Sequence, residues 1–221
     1  MSHRFYLKSK KEQTQIQFLI AFVSLIIILT TLLISWITGI YLFTILIFPI
    51  TLSIIAPFFD TPALKKSGRL IYYSPLFITE KPKNGMIKIH GGTLFDYVFV
   101  IDFDMNGKQR KTFIIQQYLE GLLKLIEEHE ATNDDEFKIR GTSYIMNNNT
   151  AQRIGFKITE TNFLEKLILI FNYFNVLISN SIANKKLSFP NLNETKTFET
   201  DLNNLINKKD YIKKLNDRFK S

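Results

Sequence analysis

The chain has 221 residues, with 28 Lys and Arg against 20 Asp and Glu, a net charge of +8 and no cysteine. Without a thiol it has no disulfide scaffold, no thiolate metal centre and no cysteine nucleophile. The positive balance calls for an anionic partner, and the positions of the charges decide which.

Residues 1–15, "MSHRFYLKSKKEQTQ", form a basic tail carrying Arg4, Lys8, Lys10 and Lys11. From Ile16 to Phe59 there are then 44 residues without a charge. A helix crosses a bilayer's hydrocarbon with roughly 20 apolar residues, so the run is long enough for two crossings. The break falls at "WITGIY", where Gly39 supplies a turn and Trp36 and Tyr41 suit the headgroup layer. This predicts spans over Ile16–Trp36 and Ile40–Phe59, a two-helix transmembrane hairpin over residues 16–59. Pro49 kinks the second span, a defect tolerated where a neighbouring helix re-satisfies the freed backbone. A cleaved export signal has a shorter apolar stretch and a small-residue cleavage site, and neither fits. A buried soluble helix pair would show a polar stripe, and only Gln17, Ser24, Ser35, Ser53 and scattered Thr are polar here.

Residues 60–69 are a basic juxtamembrane segment with Lys65, Lys66 and Arg69. Together the flanks hold seven basic residues, whereas the loop between the spans holds none. Positive charge on the same side of both spans predicts a two-pass protein of the cell membrane with both termini cytoplasmic. Anionic membrane lipids then account for much of the net charge, and nucleic acid is not the partner it points to.

Residues 70–221 are long enough for one cytoplasmic domain. "RLIYYS" and "MIKIH" read as strands around the turn-rich "EKPKNG". In Leu94–Asp104, Phe95, Tyr97, Phe99, Ile101 and Phe103 fall on one face by period two, predicting a strand that ends at Asp102 and Asp104. Asn106-Gly107 gives a hairpin-type turn signal, leading either into a further short strand or directly into helix. From Thr112 the apolar period becomes helical through Ile115, Leu119, Leu122, Leu123 and Ile126, and "TNDDE" ends it. "FKIRGTSYIM" is a strand, "NNNTAQRIGF" a short Asn-capped helix stopping at Gly155, and "FKITE" a strand. Asn162 and Glu165 resemble a capping box at the start of a helix through Ile178, whose wide apolar arc belongs in a core or against another apolar surface. "LSFPNLNETKTF" reads as loop, and "TDLNNLINKKDYIKKLNDRF" as an amphipathic helix. The fold class is α+β, a transmembrane hairpin followed by one mixed α/β domain with a core of its own.

Chemistry-bearing motifs are sparse. There is no phosphate-binding G-x-x-x-x-G-K-[ST], no H-E-x-x-H and no G-x-S-x-G. His90 stands beside the flexible Gly91-Gly92 pair and near Asp96, the pairing of an oriented general base. His3 and His129 are expected to be solvated.

One stretch, Phe99–Ile158, resembles the second half of the GNAT acetyltransferase fold. It runs strand, loop, helix, strand and then an Asn-x-x-Ala helix ending in Gly-Phe, with Asn148, Ala151, Gly155 and Phe156 in similar places. The resemblance implies acyl coenzyme A bound at Gln109, Arg110, Lys111 and Thr112, with Asn148 in the following element. The family's loop glycines are absent, and Arg153-Ile154 replace its usual approach to Gly-Phe, which implies an altered or lost active site. Three functions follow as expectations: a non-catalytic binding or regulatory module tethered to the bilayer, a membrane-anchored acyltransferase, or a ligand-triggered membrane-disrupting effector. The first takes a protein partner or small ligand at the domain and leaves room for an oligomer.

Overall fold

The computed structural model describes residues 2–132 and 137–220. Helices α1 (Lys10–Thr38) and α2 (Leu42–Lys66) form the expected hairpin, and both are long and apolar enough to cross a membrane. Ser9 caps α1 in a reciprocal box with Glu12, and Gly39 ends it in the left-handed conformation at φ 72°. Ser35 and Thr44 meet at the seam between the helices. Their hydroxyls lie 2.8 Å apart, and Thr44 also donates to the Thr31 carbonyl at 3.1 Å.

Helix α2 contains Pro49, Pro57 and Pro62. Each lacks an N–H, which frees the carbonyl four residues earlier. For Pro62 this is Phe58, whose carbonyl accepts from Gln17 Nε2 of α1 at 3.0 Å. For Pro57 it is Ser53, whose carbonyl accepts from Asn175 Nδ2 at 2.8 Å. Side-chain amides from neighbouring helices thus replace two missing backbone donors.

The domain begins directly from α2. In chain order it holds β1 (Leu70–Ser74), β2 (Phe77–Glu80), β3 (Met86–Gly91), α3 (Leu94–Val100), α4 (Gly107–Thr132), β4 (Lys138–Ser143), α5 (Asn148–Arg153), β5 (Lys157–Thr159), α6 (Phe163–Phe171), α7 (Tyr173–Asn184), β6 (Lys196–Asp201), α8 (Leu202–Asn207) and α9 (Lys209–Lys220). Among the described residues six strands lie in the order β1-β2-β3-β4-β6-β5, and β3–β4 is the parallel pair. Parallel neighbours need a crossover, here supplied by α3 and α4. The main core joins Ile87, Ile139 and Phe198 of the sheet to Leu125 of α4, Leu205 of α8 and Ile212 of α9. A second cluster joins Leu76, Tyr97, Val100, Phe113 and Ala183.

Several local expectations change. Leu94–Val100 is helix, not strand: the Asp96 carboxylate reaches back to the Thr93 N–H at 2.7 Å, which fixes its first turn. The helix buries Leu94, Phe95, Asp96, Tyr97 and Val100, so its sequence lacks the one-sided pattern of a surface helix. Of the two continuations open at Asn106-Gly107, strand or helix, the chain takes the helix. Asn106 and Gln109 exchange side-chain-to-backbone hydrogen bonds of 2.8 and 3.0 Å and start α4 at Gly107, five residues before Thr112. The stop expected at "TNDDE" falls largely on 133–136, outside the described residues. β2 and β6 were not foreseen, and the long helix from Asn162 is two helices, α6 and α7, meeting at 70°. Lys208 likewise divides the last helix into α8 and α9.

The N-terminal segment is part of the folded body. Phe5 is fully buried, with its ring centroid 4.9 Å from Phe95 and 5.2 Å from Phe99. Phe58 of α2 completes this aromatic cluster at 5.9 Å from Phe95. Arg4 closes the C-terminus of α3, its guanidinium donating to the Val98 and Ile101 carbonyls at 2.8 and 2.9 Å. A cation over the last carbonyls of a helix is favoured by their partial negative charge.

Candidate functional site

His90 and Asp96 do not meet. His90 lies at the exposed end of β3 and pairs with Glu80 Oε1 at 2.9 Å. That hydrogen bond is the main reason the Glu80 carboxyl titrates below its ordinary range. Asp96 is fully buried and accepts from Tyr72 at 2.8 Å and from the Thr93 N–H and hydroxyl at 2.7 and 2.8 Å. Its imidazole partner is His3, at 3.1 Å, instead of His90. The supposedly solvated N-terminal histidine is therefore an anchor. Burial, followed by the nearby Asp96 charge, pushes the Tyr72 phenol far up, and burial lifts Tyr6 to about 12.

The residues assigned to coenzyme binding have other duties. Arg110 is 3% exposed, and its guanidinium donates to the Phe103, Met105 and Ile182 carbonyls at 2.6, 3.1 and 2.7 Å. It ties the 101–106 loop to the end of α7. Gln109 is engaged in the α4 capping box, Lys111 is exposed on the helix surface, and Thr112 is half-buried one turn in. Asn148 starts α5 and accepts from Lys196 Nζ at 3.0 Å. Among the described residues, no group of three or more His, Cys, Asp or Glu is placed to hold a metal ion.

A concave site lies elsewhere, at the C-terminal ends of β3 and β4. A cavity of about 410 Å³ opens there between the sheet, the start of α3 and the α6–α7 elbow. Carboxyl ends of parallel strands are where open α/β sheets commonly take ligands. Tyr97, Tyr118 and Tyr144 line the cavity, together with Gly91, Gly92 and Asn175. The Tyr97 and Tyr118 hydroxyls are 3.3 Å apart. Gly91 makes this arrangement possible, because a Cβ there would fall 2.4 Å from the Tyr118 hydroxyl oxygen. Burial raises all three phenols, which stay neutral through the physiological range. Asn175 is 7% exposed; its Nδ2 serves the Ser53 carbonyl and its Oδ1 has no partner. Among the described residues, the lining contains no Asp, Glu, Lys or Arg, and His90 stands at its edge. Pro57 of α2 and Leu169 and Val176 of the elbow complete the wall.

The three tyrosines come from α3, α4 and the segment after β4, so no linear motif announces them. The sequence signal was Gly91-Gly92, read there as freedom beside His90. No protein-family model matches the chain, and comparison with curated proteins and with solved structures finds no match.

Proposed function

We propose that the chain is a two-pass protein of the cell membrane, with cytoplasmic termini, whose domain is a non-catalytic module binding a neutral amphiphile drawn from the bilayer. The cavity carries this reading. Its size falls within the roughly 300–1,000 Å³ of small-molecule sites. Its walls are apolar with a few hydroxyl and amide groups, and a charged ligand buried there would lack a counter-ion. The free Asn175 Oδ1 asks for a ligand O–H or N–H, because an unpaired buried acceptor is costly. Part of the lining, Pro57, comes from α2 itself, which supports entry from the bilayer side. The packing of residues 3–6 on α3 supports a shared side for the N-terminus and the domain.

Acyl coenzyme A, the ligand implied by the acetyltransferase resemblance, is strongly anionic, and Arg110 is already committed to three carbonyls. Mass spectrometry of the full chain extracted from membranes in mild detergent tests the proposal. A neutral amphiphile should co-purify with the protein and be lost in Gly91→Ala, which drives a methyl into the Tyr118 hydroxyl. A preparation that holds no such molecule and binds acyl coenzyme A would sink it in favour of the acyltransferase reading.

A further inference from the structure

Helix α6 turns an apolar face to open space. Phe163 and Phe171 are 76% and 70% exposed, and Leu164, Ile168 and Ile170 are exposed with them. Such a face on a protein in water would favour association or aggregation. Its surroundings indicate what covers it.

Between Lys166 and Lys185 there are 18 residues without a charge, spanning the end of α6, the bend and all of α7. The bend sits against the interior of α2. Ser53 Oγ donates to the Phe171 carbonyl at 3.2 Å, and Asn175 Nδ2 donates to the Ser53 carbonyl at 2.8 Å. Ser53 is seven residues before Asp60, where the apolar run of the hairpin ends. At 1.5 Å per residue this puts the bend about 10 Å along the helix toward the bilayer centre. The exposed α6 thus ends against α2 at Ser53, next in sequence to the exposed Leu52.

The polar groups at the bend are arranged for such a place. A break in helix at membrane depth needs its freed backbone satisfied within the protein. Asn172, between the two helices, supplies both its backbone N–H and its side-chain Nδ2 to the Ile168 carbonyl, at 3.0 and 2.9 Å. The opposite ends are held by charge. Glu165 in the first turn of α6 pairs with Arg140 of β4 at 2.9 Å and accepts from Thr197 of β6 at 2.9 Å. Arg110 holds the Ile182 carbonyl at the end of α7. Both anchored ends belong to the domain, and the uncharged middle reaches α2.

We propose that α6 and α7 form a re-entrant elbow, with the bend at Phe171–Tyr173 immersed in the leaflet next to the domain and lipid acyl chains covering α6. This rests on α1 and α2 spanning the bilayer, and it adds a third point of insertion that opens the cavity wall at Leu169 and Val176 to lipid.

The chain has no cysteine, so single Cys substitutions can carry a nitroxide in the full-length protein without background. Labels at Ile168 and Phe171 are compared with Ile27 of α1 and Lys213 of α9 in phosphatidylcholine–phosphatidylglycerol vesicles. The readout is the ratio of collision with oxygen, which partitions into lipid, to collision with a water-soluble nickel chelate. The ratios at Ile168 and Phe171 should be lipid-like, well above Lys213 and at or below Ile27. Water-like ratios at both, with Ile27 lipid-like, overturn the elbow and leave the hairpin standing. Low collision with both agents, accompanied by spin–spin broadening, assigns α6 to a second copy of the chain and also overturns it. A water-like Ile27 instead removes the membrane reading beneath the proposal.

Discussion

At the scale of single residues, type and neighbourhood say little without burial. Arg110 and Lys111 are adjacent cations that the sequence groups into one anion site, yet one is buried and the other solvated. Arg110→Ala would leave three loop and helix-end carbonyls without their charged donor and should cost about 3 kcal/mol in denaturant unfolding. Arg110→Lys should not restore this, because an ammonium cannot span the same fork. Lys111→Ala should stay within about 0.5 kcal/mol of wild type. The tyrosines give a pH test of the same distinction. Tyr6, Tyr72, Tyr73, Tyr97, Tyr118 and Tyr144 are all raised, first by burial. A raised phenol favours the folded state fully below the unfolded value of about 10 and ceases to do so as pH climbs through the folded value. In an alkaline titration, tyrosinate absorbance from these six should therefore appear together with unfolding and not before it. Gradual ionisation with the far-ultraviolet circular dichroism unchanged would show that they are not sealed in the fold.

At the scale of elements, the prolines of α2 make a measurable prediction. Asn175 supplies the Ser53 carbonyl with the hydrogen bond that Pro57 cannot give. Asn175→Ala should therefore lower stability in detergent by about 1–2 kcal/mol. In a Pro57→Ala background residue 57 regains its N–H, and the same substitution should cost less by about 1 kcal/mol. Equal costs in the two backgrounds would deny the link. The elements legible from sequence are those whose signal is local. The hairpin declared itself by length and charge, α5 by its Asn cap, and β1, β3 and β4 by short β-branched or aromatic runs. Helix α3 was misread because alternating aromatics mimic a strand when a helix is buried around most of its circumference; the Thr93-x-x-Asp96 cap was the contrary signal. β6 was missed because "KTFETD" is polar: its Thr197 and Glu199 serve Glu165 and Arg140, and register with β4 makes it a strand. The α6–α7 bend has no Gly or Pro; Asn172 closes α6 by bonding its own helix.

At the scale of the whole molecule, the hairpin and domain share a core, which no local pattern reports. The sequence treats residues 1–15 as a basic tail and the domain as self-sufficient, whereas Phe5, Phe58, Phe95 and Phe99 form one aromatic cluster across the N-terminal segment, α2 and α3. The cavity is likewise invisible in sequence, since its walls come from elements far apart in the chain. The proposed orientation predicts that tags at either terminus report the cytoplasm and that one inserted at Thr38-Gly39 is reached from outside; termini on opposite sides would end it.

The shared core leads to a sharper test. Deleting residues 2–8 keeps the hairpin, its Ser9 cap and the entire domain sequence. It nevertheless removes the Phe5 ring from its buried site, the Arg4 cap from the last carbonyls of α3, and His3 from the buried Asp96 carboxylate. Losing a buried Phe alone costs about 3 kcal/mol, and losing one of the hydrogen bonds to the buried Asp96 carboxylate adds to it. The shortened protein should unfold at a distinctly lower temperature in detergent, and proteolysis should open first near α3. Replacing Lys10 and Lys11 by Gln, which changes the basic flank without touching this cluster, should leave both readouts at wild-type values. Unchanged stability after the deletion would mean that the N-terminal segment merely rests on the domain and that charge, not packing, is its contribution.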